Sequence, residues 1–219
     1  MADVTTRLDY ERDGDAIYRT SFATIRDELG GRLAGLGDLE RVVVRMVHAA
    51  GDVSIIDQVE SSDGFVAAAS VALSCGATIW CDSEMVARGI TRSRLTAGVE
   101  VRCALHDAEV PDLARRDGTT RSAAAVDRWV GSIDGALAVI GNAPTALFRL
   151  LELMLDGTAR PAAVIGIPVG FVGAAASKSA LASLPHGVPC LTLLGRRGGS
   201  AIACAAVNAV AHEREILPR

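Results

Sequence analysis

Ala162-Ala-Val-Ile-Gly-Ile-Pro-Val-Gly-Phe-Val-Gly-Ala-Ala-Ala-Ser177 is the most hydrophobic stretch of the 219-residue sequence, and its reading decides the fold. A membrane-spanning helix needs about 20 predominantly apolar residues. This stretch is shorter, and Pro168 and the glycines at 166, 170 and 173 interrupt it. A buried strand that runs into a glycine-rich loop and then into a helix over AAASKSALASL accounts for all of it. A short apolar run bounded by turn-forming residues is the pattern of a strand covered on both faces.

Four more runs share that character: ATIWC from Ala77, VEVRCAL from Val99, GALAVIG from Gly135 and PCLTLLG from Pro189. Each is too short for a helix. Between them lie SEMVARG, the stretch from Thr120 through Trp129, and TALFRLLELMLDG, and SAIACAAVNAVA follows the last run. Strand alternating with helix predicts a mostly parallel sheet with helices on both faces, joined by right-handed crossovers. The expected architecture is thus α/β, a three-layer α/β/α sandwich with a five-stranded sheet, in one domain over residues 1–219. The amino-terminal part adds helical patterns at about 13–28, at LERVVVRMVHAAG from Leu39 and at DGFVAAASVALSCG, each running into or following a turn residue. These are extra helices, expected to pack on the outside of the domain or on another subunit.

An apolar content of 50% suits one sizeable core, and a net charge of -4 gives no global attraction to nucleic acid or to an anionic membrane. The first residues, MADVTTRLDYERDGD, are polar and acidic and lack the basic segment and apolar run of an export signal, so the expected compartment is the cytoplasm. Five cysteines, an odd number without any C-x-x-C pair, argue against a disulfide framework and a zinc site.

Ligands of such sheets bind beyond the carboxyl ends of the strands. Those positions carry Asp82, Ser83 and Glu84; Asp107; Gly141 through Thr145; Gly166 through Gly173; and Arg196 through Ser200. Glycine permits close approach, and free amides at a following helix start bind acidic groups, which points to an anionic ligand. Tight turns are the competing reading of each glycine. The loop GIPVGFVGAAASKS lacks the adjacent Gly-Lys-[Ser/Thr] of a phosphate loop, and no G-x-G-x-x-G follows a strand, so neither ATP nor NAD is expected.

Of four histidines, His48 stands out at the end of an apolar helix, with Arg45 three residues before it. A helix carboxyl end favours imidazolium, so His48 is expected to hold a proton near neutral pH, with a structural role as the alternative. No G-x-S-x-G, H-E-x-x-H or carboxylate-rich metal loop is present. The chemistry needs little beyond proton positioning.

The strings DYERDGDAIYRTSFATIR, RMVHAAGD, CDSEMVARGITR, GTTRSAAA, IGNAPTALFRLLE, GIPVGFVGAAASK and GRRGGSAIACAAVNA resemble, in this order, the characteristic segments of precorrin-8X methylmutases, from about Asp9 to about Ala211. The resemblance implies a flavodoxin-like fold, a homodimer with a shared active site, and a methyl shift from C-11 to C-12 of a corrinoid ring that yields hydrogenobyrinic acid. No cofactor or metal is consumed in that shift. On the same resemblance His48 is the proton donor, and Ser21, Arg45, Thr91, Arg92, Arg121, Asn142 and Gly173 are expected near the substrate. Arginines suit a macrocycle that carries several carboxylates. Nothing in the strings separates precorrin-8X from its cobalt-containing counterpart, and a corrinoid carrier without turnover is the second reading.

Overall fold

The structure, a computed structural model, describes residues 8–217. Met1–Arg7, part of the stretch read for an export signal, and residues 218–219 lie outside the described residues. The elements in chain order are α1 (Gly14–Leu29), α2 (Leu39–Ala50), β1 (Val59–Ser61), α3 (Phe65–Ser74), β2 (Ile79–Cys81), α4 (Glu84–Gly89), β3 (Val101–Arg102) and α5 (Val110–Arg116). They continue with α6 (Arg121–Asp127), β4 (Leu137–Ile140), α7 (Pro144–Leu155), β5 (Ala163–Gly166), α8 (Ala174–Ser183), β6 (Cys190–Leu193) and α9 (Ser200–Val210).

Each of the five apolar runs contains a strand. The sheet has one strand more than expected, and its order is β1-β6-β5-β4-β2-β3. The additional strand, β1, pairs antiparallel with β6 at the sheet edge, whereas the other pairings are parallel. Its sequence, Val-Glu-Ser, has no apolar run to reveal it, because an edge strand is held by its neighbour's backbone. Helix α5 was likewise not expected: seven residues with a proline in the first turn carry too little periodicity.

Period-two alternation divides the core. Leu137, Val139, Ile165 and Leu191 face one side of the sheet, and Ala138, Ile140, Val164 and Cys190 face the other. On the first side lie Phe22 and Ile25 of α1, Val43 and Met46 of α2, Phe65 of α3 and much of α9. On the second lie α5, α6 and α7, with Trp80 and Trp129 stacked at 5.7 Å. Helix α9 is buried from Ile202 to Val210 because it lies between α2 and the sheet, and a helix apolar all round belongs in such a place. The amino-terminal helices therefore pack on this chain's own core.

Helix ends set what faces the site. Asp13 caps α1 by accepting from the N–H of Asp15 at 2.9 Å. Helix α2 stops at Gly51, which is left-handed at φ 62 and donates to the carbonyl of Val47, so His48 sits in the last turn.

Candidate functional site

Half-buried His48 lies at the margin of the apolar face of α2, and Ser21 lies beside Phe22 on the facing side of α1. Ser21 Oγ is 2.8 Å from His48 Nδ1. The imidazole packs edge-on to Phe22 at 5.1 Å and tilted against Tyr18 at 5.3 Å. A hollow of about 490 Å³ opens here, lined among others by Tyr18, Arg45, His48, Met85, Thr91 and Ser200. A second, of about 410 Å³, takes in Ser21, Ile25, His48 and Asp52. His48 thus forms a wall common to both.

Burial lowers the His48 pKa from its ordinary 6.5, and the nearby Arg45 charge lowers it further. This corrects the expectation drawn from the helix end: desolvation and a like charge one turn away outweigh the carboxyl-terminal dipole. The free protein holds His48 neutral at neutral pH. An anionic ligand whose charge offsets Arg45 would oppose the smaller of these two causes and shift the balance towards imidazolium. Once protonated, Nδ1–H donates to Ser21 Oγ and Nε2–H is left to donate to a ligand.

Arg45 stacks over Phe22 at 5.3 Å and donates to the carbonyl of Glu215, while the Glu215 carboxylate pairs with Arg26. The chain after α9 thus returns across α1 and α2. Its anchor is Arg94, a buried arginine that the sequence reading passed over. It donates to the carbonyls of Asn208 at 2.6 Å, His212 at 3.0 Å and Glu215 at 3.3 Å. Asn208 in turn accepts from the N–H of Thr91 at 2.9 Å, which fixes Thr91 at the edge of the larger hollow. Arg92 is exposed, and its guanidinium donates back to the carbonyl of Ala87 at 3.1 Å.

Arg121, Asn142 and Gly173 collect elsewhere, at the carboxyl edge of the sheet. Asp82, 1% exposed, accepts from the N–H groups of Gly141 at 2.9 Å, Asn142 at 2.9 Å and Ala143 at 2.7 Å. Burial raises the Asp82 pKa and the three amides oppose that rise. Gly173, at φ 79, caps α8, and a Cβ there would lie 3.2 Å from Pro144 Cβ, so the starts of α7 and α8 touch. Exposed Arg121 opens α6, whose cap residue Thr120 meets Thr145 of α7 through their hydroxyls at 2.8 Å.

The two groups meet at Ser200, the first residue of α9. It lines the larger hollow, and its Cα would be 3.1 Å from a Cβ placed on Gly141. Arg92, Arg121, Asn142 and Gly173 are not among the residues that line either hollow around His48. Among the described residues no three His, Cys, Asp or Glu side chains form a group that could hold a metal ion. The arrangement suits delivery of a proton to a large acidic ligand.

A family model described as precorrin-8X methylmutase matches residues 16–213. The chain is 55% identical over 209 residues to the precorrin-8X methylmutase of Pseudomonas aeruginosa, a match covering 95% of this chain and 100% of that relative. It is 41% identical to the cobalt-precorrin-8 methylmutase of Salmonella typhimurium, over 80% of this chain and 82% of the relative. A crystal structure of the precorrin-8X methylmutase from Thermus thermophilus superimposes with a TM-score of 0.81 at 40% identity, covering 90% of this chain and 95% of that one.

Proposed function

The chain belongs to the precorrin-8X methylmutase family, isomerases of cobalamin biosynthesis, and from that premise we propose that it moves a methyl group from C-11 to C-12 of precorrin-8X to give hydrogenobyrinic acid, with His48 as the proton donor. The observation that carries the residue assignment is the Ser21–His48 hydrogen bond in the common wall of two open hollows. The step balances without a co-reactant: one carbon–carbon bond breaks as another forms, and the proton lent to a ring nitrogen is recovered when the product leaves. A positioned acid supplies about 10²–10⁴-fold, and charge arranged in advance around the macrocycle supplies the rest.

Arg45, Thr91 and the start of α9 form the rim in this proposal, with arginine meeting the ring's carboxylates. Arg92 directly follows Thr91 at the rim, and Arg121, Asn142 and Gly173 become substrate residues if a second copy of the chain brings its sheet edge to the His48 hollow of the first. A homodimer with a shared site is therefore part of the proposal. Supporting it, Phe171 and Val172, in the loop before α8, are 87% and 89% exposed, an expensive way to leave two large apolar side chains on a lone chain. The proposed unit is one domain spanning residues 1–219, working in the cytoplasm. Five free thiols favour a reducing compartment, and among the described residues no helix is long and apolar enough to cross a membrane.

Metal-free precorrin-8X is favoured over the cobalt form by the higher identity to the relative named for it. Purified protein is incubated with each substrate and the corrin absorption is followed. Conversion of precorrin-8X is the expected result; tight binding with no conversion of either substrate would replace the isomerase with a corrinoid carrier.

A further inference from the structure

Lys178 is the single lysine of a chain that otherwise uses arginine for its 22 basic residues, and it is 0% exposed. It projects from α8, and its ammonium donates to the backbone carbonyl of Arg197. Among the described residues it has no salt bridge. Burial lowers its pKa to about 8. An ammonium without a counter-ion in a packed core is unfavourable to desolvate, and an apolar side chain of the same length would avoid that cost. An arginine would bring five donors to a place that offers one acceptor.

The loop that it reaches, Gly195 to Gly199, is closed tightly on its neighbour. A Cβ on Gly198 would lie 2.5 Å from the carbonyl oxygens of both Ile167 and Pro168. Gly199 N–H donates to Ile167 O at 2.9 Å, and Gly170 N–H donates to Arg196 O at 3.2 Å. The side chain of Arg197 leaves on the other side and donates to Asp52 Oδ2 and Ser54 Oγ, each at 2.7 Å. Asp52 follows the cap of α2 and lines the smaller hollow beside His48, and Ser200, next after the loop, lines the larger one.

We propose that Lys178 is a positioning residue for the methyl shift: by holding the carbonyl of Arg197 it fixes the loop whose middle, through the Arg197 side chain, braces Asp52 in the hollow shared with His48 and whose end starts α9 in the cleft. The inference rests on the reading that the His48 hollows take the substrate. Lys178 is out of reach of a ligand and acts only through this loop. Its removal therefore loosens substrate placement more than it disables the acid, and KM moves more than kcat.

The test uses Lys178→Met, which keeps the apolar stem, and Lys178→Gln, which restores a neutral donor. Tryptic cleavage after Arg196 and Arg197 of the native protein, scored by mass spectrometry against cleavage elsewhere in the chain, reads the loop directly. The expected result for Lys178→Met is about tenfold faster cleavage there and about a tenfold rise in KM for precorrin-8X, kcat staying within about threefold. Lys178→Gln should recover part of both. A folded Lys178→Met with unchanged cleavage, or with an unchanged KM, overturns the proposal. So does failure of both variants to fold, which would make Lys178 a core residue and nothing more. Should the unaltered chain fail to convert precorrin-8X, the proposed activity falls, while the cleavage rates still decide what Lys178 holds.

Discussion

His48 is half-buried and sparsely bonded, whereas towards the carboxyl edge of the sheet Asp82 and Lys178 are sealed in and bound to backbone. Among the described residues the imidazole has one hydrogen-bond partner, the Ser21 hydroxyl, and aromatic rings on two sides. Asp82 takes three amides, and Lys178 is closed over by the loop it holds. A group that must exchange a proton with a ligand needs an open side and a pKa that the ligand can move. A group that must hold a loop needs neither, and its burial makes each hydrogen bond harder to lose. Under the proposed function the first region takes part in the reaction, and Asp82 and Lys178 in the second hold its frame.

That contrast breaks most sharply at His48. His48→Ala should lower turnover by about 10²–10⁴-fold while leaving product binding mostly intact, because the acid goes and the hollow stays. Absorption spectra under single-turnover conditions check this, and near-normal conversion would move the acid role to another residue.

Next comes the question whether the two regions work across a subunit boundary. His48→Ala and Arg121→Ala proteins, each inactive alone, are mixed, unfolded together and refolded. A shared site in a homodimer predicts recovery of about a quarter of native activity, since about half of the dimers are hybrids and each hybrid has one intact site. No recovery, with dimers present by light scattering, would put Arg121 outside the site.

Asp82→Asn tests the frame. The amide offers one acceptor oxygen and turns donors towards groups that are themselves donors, so at least one buried amide loses its partner. A loss of about 1–3 kcal/mol is expected, read as a melting temperature lower by about 2–4 °C for each kcal/mol. His48→Ala should leave the melting temperature much closer to native, and a reversal of that ranking would undo the comparison.

The smallest effect is on pH dependence. The folded pKa of His48 lies below its ordinary 6.5, so the unfolded chain takes up this proton first as pH falls. Folding is therefore weakened by this residue as pH drops through and below 6.5, and the effect is absent above that value. His48→Gln should flatten this part of the stability curve, and proton NMR of the native ring should show a midpoint under 6.5 in the free protein. A midpoint at or above 6.5 would restore the helix-end expectation.

Legibility in the sequence followed the range of the forces involved. Strands β2, β4, β5 and β6 were readable because both of their faces are covered and the residues have to be apolar in succession, and edge strand β3 because Val99, Val101 and Cys103 alternate towards the core. β1 was not, since edge pairing asks little of side chains. The position of His48 on α2 could be read from spacing and the Gly51 stop, and a run of family-like strings named its partners. Its protonation could not be read, because desolvation by Phe22 and Tyr18 comes from another helix. No local pattern marks Arg94 or Lys178 as buried, because the returning tail and the loop at Arg197 that cover them are distant along the chain.

The α/β alternation and the family were settled in the sequence, which also proposed His48 as the proton donor, because these readings depend on local periodicity and on strings of neighbouring residues. The fold was needed to show which charges are buried, which of the expected residues share a hollow, and that burial pulls the His48 pKa down. Burial and pKa are set by atoms that are distant along the chain and adjacent in space.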